Sequence, residues 1–355
     1  MYRKAAVEFV TVGSHCLGGS TPVVIAEAGV NHDGDVAKAH ALIDVAADAG
    51  SSSVKFQTFD ADLLVATDAA ATPYQQQATG QASQSDMLKA LSLPREAWLE
   101  LAQHARERGL LFLSTPFDVA SADLLIGLGV PALKVPSGEL TNLGFIRHLA
   151  TLGVPLLLST GMGTADEVGQ ALEAAAGAPG RALFHCVSAY PAPAQDCNLT
   201  AIAAMQARFD VPVGWSDHTL GSTSAVVAAA LGARIFEKHF TLDSTAAGPD
   251  HAASLEPDQL ASYIQDINTA VAMLGDGVKR RMPSEEENAP LVRRSWHVVA
   301  DVPAGHVLTA TDVMALRPES GITAAHNVLG LVTTRPLAAG EALAADAVTG
   351  DADTF

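Results

Sequence analysis

The sequence is poor in cysteine and lysine, and it lacks a long apolar run. Its three cysteines, Cys16, Cys186 and Cys197, cannot all pair with one another and do not have the spacing of metal ligands. We therefore expect a reduced, cytoplasmic protein. No apolar stretch is long and uncharged enough to span a bilayer, and residues 1–15 contain no apolar segment of signal-peptide length. These absences argue against a membrane protein and against a secreted one.

Positive charge is also scarce. The formal net charge is −18, which argues against nucleic acid and anionic membranes as partners. Only seven lysines occur in the chain, and three of them, Lys55, Lys134 and Lys238, lie on predicted buried strands. A buried ammonium group is costly unless an opposite charge accompanies it. Their placement inside an acidic protein therefore suggests an anionic ligand.

Short apolar runs alternate with amphipathic helical stretches along most of the chain. Residues 35–50 and 222–233, for example, have Ala, Leu and Val at a spacing near 3.6 residues, which predicts helices. Eight apolar runs predict β-strands, at 23–29, 53–58, 110–115, 132–137, 155–160, 182–188, 211–217 and 233–240.

Eight strand–helix units in roughly 250 residues are typical of an α/β (β/α)8 TIM barrel, which we predict for residues 1–280. A doubly wound parallel sheet is the alternative, but "AEAGVNHDG" is not the glycine-rich phosphate-binding pattern of that fold. Residues 59–94 form a long polar insertion, which is either a lid or a disordered segment. Charge, Pro and Gly predict a linker at 281–294, and hairpin-like patterns predict a small second domain at 295–355.

Polar residues cluster at the predicted carboxyl ends of the strands. In a TIM barrel those ends converge on one face, which carries the active site. Because all eight strands show this pattern, we predict an enzyme. The residues are Glu27, Lys55, Gln57, Ser114, Thr115, Lys134, Ser137, Glu139, Ser159, Thr160, His185, Ser188, Tyr190, Ser216, Asp217, His218 and Glu237 to His239.

Two histidines among them form a candidate metal site. His218 ends the seventh strand and His239 lies on the eighth; because neighbouring strands are about 5 Å apart, both imidazoles can reach one divalent metal. Each alone is equally explained as a hydrogen-bonded core histidine. Glu237 shares a face with His239 by strand alternation, whereas Lys238 points towards the helices. Two histidines leave positions for water and substrate, which suits Mn²⁺ or Mg²⁺ as a Lewis acid.

A lysine and several serines form a candidate phosphate pocket. Lys134 supplies charge, and Ser137, Ser159 and Ser216 supply short hydrogen-bond donors. Each serine alone is equally explained as a strand-end or helix-capping hydroxyl. The sequence leaves both explanations open for each serine.

Two carboxylates, Glu27 and Glu139, lie at the mouths of the first and fourth strands. One interpretation is that each forms an ion pair with Lys55 or Lys134. The other is that they move protons near the reacting carbon. The sequence leaves both open.

Motifs along the chain, from about residue 20 to about residue 340, are similar to those of the sialic acid synthase family. Its members condense phosphoenolpyruvate with a hexosamine. The motifs are "IAEAGVNHDGD" (25–35), "VKFQTF" (54–59), "STPFD" (114–118), "KVPSGELTN" (134–142), "LSTGM" (158–162), "HCVSAYPAP" (185–193), "GWSDHT" (214–219), "EKHFTLD" (237–243), "GPDHAASLEPDQL" (248–260) and "ALRPESGI" (315–322).

The resemblance implies a (β/α)8 barrel with a small C-terminal antifreeze-like (SAF) domain, in a domain-swapped homodimer. It implies Mn²⁺, with Mg²⁺ or Co²⁺ as substitutes, on His218 and His239, and catalytic carboxylates at Glu27 and Glu139. Phosphoenolpyruvate is expected to bind Lys134, Ser137, Ser159, Ser188, Ser216 and Thr115. The amino sugar is expected to bind Lys55, Gln57, Tyr190, Asp250 and, from the partner subunit, Arg317.

The implied reaction joins phosphoenolpyruvate, N-acetylmannosamine and water into N-acetylneuraminate and phosphate, with cleavage of a C–O bond. Ser188 stands where some members of the family have Asn, so that contact is expected to differ. The long insertion offers Gln81 near the place of an Asn that contacts the sugar N-acetyl group in the family, and this part of it lacks the lysines common there, so the sugar stays open. The same chemistry on a 2,4-diacetamido-6-deoxy hexose gives legionaminate or pseudaminate, and another surface or spore-coat polysaccharide sugar is a further alternative. Outside this family, the alternatives are an aldolase making a 3-deoxy sugar phosphate and a non-catalytic sugar-binding protein.

Overall fold

The computed structural model describes residues 9–66 and 69–350. The chain divides into two compact units, Met1–Gly275 and Asp276–Phe355. The first unit contains the strands and helices of a barrel, and the second contains short antiparallel strand pairs.

An antiparallel hairpin of β1 (Val10–Val12) and β2 (His15–Leu17) precedes the barrel. Apolar side chains of this hairpin pack with Val23 and Ile235, which stand at the beginning of barrel strands. The hairpin therefore covers the amino-terminal end of the barrel, opposite the face on which the sequence predicts the active site.

Eight parallel strands form one sheet with the order β5-β4-β3-β10-β9-β8-β7-β6. All eight predicted strands are present, and the near-closed sheet confirms the predicted TIM barrel. The strands are β3 (Val23–Gly29), β4 (Ser53–Thr58), β5 (Leu111–Pro116), β6 (Leu133–Val135), β7 (Leu156–Ser159), β8 (Arg181–His185), β9 (Val213–Asp217) and β10 (Ile235–His239).

Helices connect these strands. Polar caps begin several of them; Asp35, for example, accepts hydrogen bonds from two backbone N–H groups, and Thr164 forms a capping box with Glu167. The helices are α1 (Val36–Asp48), α2 (Ala61–Leu64), α3 (Pro73–Thr79), α4 (Gln84–Leu91), α5 (Ala97–Glu107), α6 (Val119–Gly127), α7 (Leu143–Ala150), α8 (Ala165–Ala174), α9 (Ala201–Phe209), α10 (Thr223–Ala230) and α11 (Pro257–Leu274). Short 3-10 helices occur at Ser137–Glu139, Ala194–Asp196 and His251–Ala253.

The main core lies between the strands and the helices. Outward-facing side chains such as Val24 of β3 and Phe236 of β10 belong to this core. Their neighbours Ile25 and Ile235 face the other way and belong to the core inside the barrel. This division follows from the alternation of side chains along a strand.

The long insertion folds as helices where the structure describes it. Helices α2, α3 and α4 occupy most of residues 59–94. Met87 and Leu91 of α4 are buried against Val30, which directly follows β3, with Phe59 and Leu88 packed around them. The insertion is therefore anchored at the carboxyl end of a barrel strand.

The second unit has a core of its own, which includes Val298, Leu308, Val328 and Leu343. Its antiparallel pairs confirm the predicted hairpin-like patterns. Its elements are a 3-10 helix (Pro283–Glu285), α12 (Asn288–Val292), β11 (Ser295–Val298), β12 (Val313–Leu316), β13 (Val332–Thr333), a 3-10 helix (Ala345–Ala347) and β14 (Val348–Thr349).

None of the helices formed by residues 9–66 and 69–350 is long and apolar enough to cross a membrane.

Candidate active site

Strand β10 directs successive polar side chains to opposite faces. Glu237 points into the barrel, where its carboxylate accepts hydrogen bonds from Lys134 and Ser216. Lys238 points outward, and its Nζ lies 3.4 Å from Asp217 Oδ1. The prediction that Lys238 belongs to the helix layer is thereby confirmed.

Glu237 lies between two buried lysines. Lys134 Nζ donates to Glu237 Oε1 at 2.9 Å and to Oε2 at 3.0 Å. Lys55 Nζ lies 3.7 Å from Glu237 Oε2 and 2.6 Å from Glu27 Oε2. Ser216 Oγ donates to Glu237 Oε1 at 3.0 Å. Two ammonium groups and two carboxylates therefore share one desolvated pocket inside the barrel.

The two carboxylates of this pocket differ in their affinity for a proton. Burial raises the pKa of Glu27, and the charge of Lys55 opposes this only in part. Burial also acts to raise the pKa of Glu237, but Lys134 and Lys55 outweigh it and lower that pKa below its ordinary value. Glu237 therefore holds its negative charge, whereas Glu27 is closer to taking up a proton. The resulting excess of positive charge suits an anionic substrate.

His218 and His239 face one another at the carboxyl ends of β9 and β10, with their ring centroids 5.7 Å apart. His218 Nδ1 lies 2.6 Å from the carbonyl oxygen of Val187, which can only accept, so Nδ1 carries the proton. Nε2 then keeps its lone pair, 3.5 Å from Ser216 Oγ. Tyr190 packs against both rings, at centroid distances of 4.2 and 5.8 Å.

The other histidine carries a buried nitrogen that has no hydrogen-bond partner among the described residues. His239 Nδ1 makes no hydrogen bond within the described part of the chain, and Asp250 Oδ2 lies 3.7 Å away. Burial lowers the pKa of His239 well below its ordinary value and that of His218 to about 4. Both imidazoles are therefore neutral near pH 7, which is the form that binds metal ions.

Serine hydroxyls gather beside the lysine pocket, at the ends of neighbouring strands. Ser137 Oγ lies 3.0 Å from Ser188 Oγ, and Ser159 is buried at the end of β7. Gly161 lies against the pair with a φ of +39°; a Cβ there would be 2.3 Å from Ser137 Cβ and 2.7 Å from each hydroxyl oxygen. A glycine is therefore needed for these hydroxyls to approach one another.

Comparison with known proteins places the chain in a family. The NeuB family model matches residues 42–279, and the SAF domain model matches residues 293–349. The N,N'-diacetyllegionaminic acid synthase of Campylobacter jejuni is 41% identical over 320 residues, which cover 88% of this chain and 96% of that protein. The protein of the same name from Legionella pneumophila is 41% identical over 332 residues, covering 91% and 93%. This chain belongs to the NeuB family.

A solved structure of a relative supports the same conclusion for the fold. The crystal structure of the N-acetylneuraminic acid (sialic acid) synthetase from Leptospira borgpetersenii, in complex with citrate, is 33% identical with a TM-score of 0.71. The match covers 79% of this chain and 95% of that one. As a NeuB-family synthase, the chain is an enzyme that condenses phosphoenolpyruvate with a sugar to form a nonulosonic acid. This confirms the predicted family, the predicted enzyme class and the predicted SAF domain.

NeuB-family enzymes use a divalent metal, and the two histidines fit one. His218 presents the lone pair of Nε2, 3.5 Å from Ser216 Oγ, and His239 has a buried Nδ1 that makes no hydrogen bond to any described residue. No group of three or more His, Cys, Asp and Glu side chains in the described ranges is arranged to hold a metal ion. A metal held by the two imidazoles would therefore keep positions for water and substrate.

Several predicted sugar-site residues of this NeuB-family enzyme join the same pocket. Lys55 Nζ donates to Thr115 Oγ1 at 2.9 Å, and Gln57 Nε2 donates to Glu27 Oε1 at 3.4 Å. Gly29 has a φ of +54°, and a Cβ there would lie 3.4 Å from Gln57, Glu27 and His239 alike. The backbone of β3 thus approaches the centre of the site.

Glu139 does not join that pocket within the described residues. It lies half-buried at the end of a 3-10 helix and accepts a hydrogen bond from Asn142 Nδ2 at 2.7 Å. Of the two interpretations that the sequence left open, the ion pair is present for Glu27, with Lys55. Among the described ion pairs, none links Glu139 to Lys55 or to Lys134.

Arg317 directly follows β12 in the second unit. Its side chain is exposed, and it forms no ion pair with any residue of the described ranges. Its role in the active site of a partner subunit stays a prediction.

Sequence reasoning missed a second polar network near the site. His251 Nε2 lies 2.9 Å from Asp33 Oδ1, and His251 Nδ1 lies 2.7 Å from Thr241 Oγ1. This network connects the loop after β3 with the segment after β10, and Asp250 directly precedes His251. The motifs "NHDGD" and "GPDH" contain these residues, but spacing alone does not show that they meet. The carbonyl oxygen of Val187 orients His218, but every residue has such a group, so the residue types in the sequence do not indicate which carbonyl does so.

Proposed function

We propose that this NeuB-family enzyme condenses phosphoenolpyruvate with 2,4-diacetamido-2,4,6-trideoxymannose, giving N,N'-diacetyllegionaminate and phosphate. The choice of sugar rests on the 41% identity to two N,N'-diacetyllegionaminic acid synthases over about nine tenths of the chain. The solved sialic acid synthetase is 33% identical. This difference favours the second of the sugars predicted from the sequence over N-acetylmannosamine.

Phosphoenolpyruvate carries a carboxylate and a phosphate, so it needs a positive pocket with short donors. We assign it to a group of buried or half-buried side chains that line the barrel at the ends of neighbouring strands. These are Lys134, Ser137, Ser159, Ser188, Ser216 and Thr115. Support comes from the two lysines in the pocket, since Lys134 and Lys55 together exceed the single firmly ionised carboxylate of Glu237.

We assign a divalent metal, preferably Mn²⁺, to His218 and His239; it would supply Lewis-acid polarisation of the sugar carbonyl oxygen. The chain itself fixes the two imidazoles. The Val187 carbonyl holds the tautomer of His218, and Tyr190 packs against both rings. Asp250 lies within 3.7 Å of His239 and borders the place for the sugar.

In the proposed reaction, C3 of phosphoenolpyruvate forms a bond to the aldehyde carbon of the sugar. Water adds at C2, and phosphate leaves with cleavage of its C–O bond. Glu27, inside the lysine pocket, is assigned to proton handling near the reacting carbons. Glu139, which lies half-buried outside that pocket, is assigned to the same role by its place in the motif "KVPSGELTN" (134–142). Lys55, Gln57, Tyr190 and Asp250 orient the sugar, and Arg317 closes the site from the partner subunit of a domain-swapped homodimer.

The test is phosphate release from phosphoenolpyruvate with Mn²⁺, comparing 2,4-diacetamido-2,4,6-trideoxymannose with N-acetylmannosamine at equal concentrations. We expect a kcat/KM at least tenfold higher for the diacetamido sugar, with no release in EDTA or with the His239→Gln variant. A preference for N-acetylmannosamine would make the enzyme an N-acetylneuraminate synthase. Release with neither sugar would contradict both assignments.

A further inference from the structure

A fully buried ion pair lies outside the barrel, behind the two candidate metal ligands. Lys238 Nζ is 3.4 Å from Asp217 Oδ1, and both side chains are 0% exposed. Removing two charges from water is costly, and such a pair is no better for stability than well-packed apolar residues. The catalytic groups proposed above do not use it. Its presence therefore needs another explanation.

The surroundings of Asp217 are saturated with donors. Its Oδ1 accepts from Thr219 N at 2.8 Å and from Thr219 Oγ1 at 2.7 Å. Its Oδ2 accepts from Ser224 Oγ at 2.8 Å and from Tyr263 Oη at 3.1 Å. Lys238 Nζ donates in turn to the carbonyl oxygen of Thr219 and lies 5.6 Å from the Tyr263 ring centroid. The backbone on both sides of residue 218 is thus held by this network.

The position of the pair along the strands gives it a specific consequence. Lys238 and Asp217 are direct cross-strand partners in the β9–β10 ladder. Each stands one residue before a candidate metal ligand, Lys238 before His239 and Asp217 before His218. Because side chains alternate along a strand, both charges point to the helix layer and both imidazoles to the lumen. The contact between Lys238 and Asp217 therefore links the two strand backbones that carry His218 and His239.

We propose that the Lys238–Asp217 pair is a positioning device for the metal site, which fixes the separation and orientation of His218 and His239. The metal affinity of a site with two protein ligands depends strongly on the separation and orientation of those two side chains. Water and substrate fill the other positions, and they do not hold the two imidazoles in place. Outer-shell groups that orient metal ligands by hydrogen bonds typically change metal affinity 10- to 100-fold. Here the pair acts on the two ligands through the backbones that carry them, and we expect an effect at the lower end of that range. This inference rests on the proposed assignment of the metal to the two histidines.

The experiment measures Mn²⁺ binding to the substrate-free protein by electron paramagnetic resonance of the free ion. The main variant is Lys238→Met combined with Asp217→Asn, which removes both charges and leaves no buried charge unpaired. Ile267→Ala is the matched control, since Ile267 is fully buried in α11 of the same helix layer and its apolar side chain takes no part in the hydrogen bonds or the ion pair of Lys238 and Asp217. His239→Gln tests the metal assignment itself.

We expect the double variant to melt cooperatively and to bind Mn²⁺ at least tenfold more weakly, while Ile267→Ala lowers Tm and keeps the affinity within twofold. Affinity within twofold of the wild type in the folded double variant would overturn the positioning role. Unchanged affinity in His239→Gln would instead overturn the metal assignment. If the double variant does not fold, Tyr263→Phe decides, because it removes one donor from Asp217; a loss of threefold or more supports the proposal, and no loss refutes it.

Discussion

Replacing Gly161 by alanine tests the serine pair, Ser137 and Ser188, that is proposed to bind phosphoenolpyruvate. Gly161 has a φ of +39°, and its missing Cβ would lie 2.3 Å from Ser137 Cβ. The two serine hydroxyls, each 2.7 Å from that Cβ, can rotate away. Ser137 Cβ cannot, because the backbone fixes it. The 3-10 helix that carries Ser137 must therefore move.

The magnitude follows from two contributions. An alanine in the left-handed region costs roughly 1–2 kcal/mol, and overpacking against a fixed atom adds about 1–3 kcal/mol. Gly129→Ala is the control, because Gly129 has a φ of +75° and no heavy atom within 4 Å of its Cβ position. It has the backbone strain without the clash. At about 2–4 °C per kcal/mol, we expect the control to lose roughly 2–8 °C in Tm and Gly161→Ala about twice as much.

The kinetic constants show whether Gly161→Ala damages the proposed phosphoenolpyruvate site or only lowers the stability of the protein. A displaced hydroxyl loses a hydrogen bond to a charged phosphate, which contributes about 1.5–3 kcal/mol, so KM for phosphoenolpyruvate should rise roughly tenfold or more. The assay is phosphate release with phosphoenolpyruvate varied at saturating sugar, and then the reverse. KM for the sugar should stay within about twofold. Equal changes in both KM values, or a KM for phosphoenolpyruvate like that of Gly129→Ala, would refute the assignment of Ser137 and Ser188.

Three further results are expected. Glu237→Gln leaves the buried ammonium group of Lys134 without its carboxylate, whereas Lys55 keeps Glu27. The substitution should lower the free energy of unfolding by about 3–5 kcal/mol in urea titrations, and a loss under about 1 kcal/mol contradicts this reading. Burial lowers the pKa of His32 to about 4, so the neutral buried imidazole stabilises the fold fully above pH 6.5, and up to about 3 kcal/mol of this is lost as pH falls towards 4. In His32→Asn the free energy of unfolding should therefore change less between pH 6.5 and pH 4 than in the wild type, and an unchanged pH dependence contradicts the prediction. Arg317→Ala and His239→Gln should each be inactive alone, yet mixed dimers of the two should recover activity if Arg317 acts in the partner's site, whereas no recovery sinks the domain swap.

The barrel could be predicted from local patterns. Each apolar run between amphipathic stretches became a strand, and the predicted ends differ from the observed ones by a few residues, as for 132–137 against Leu133–Val135. The fold follows from such patterns because burial of strand faces and helix faces depends on residue spacing. The helices of the insertion at 59–94 could not be predicted from local patterns. Its polar composition indicated a lid or disorder, yet Met87 and Leu91 find an apolar partner in Val30, far earlier in the chain.

The sequence by itself determined which residues lie at the carboxyl ends of the strands and that Lys238 points away from Glu237 and His239, because both follow from the period of a strand. Only the tertiary structure decided which of them meet. Lys134 reaches Glu237 across 103 residues, and His251 reaches Asp33 across 218. Such contacts depend on barrel closure and strand register, which local spacing does not contain, and they decide which carboxylate holds its charge and which imidazole nitrogen stays free.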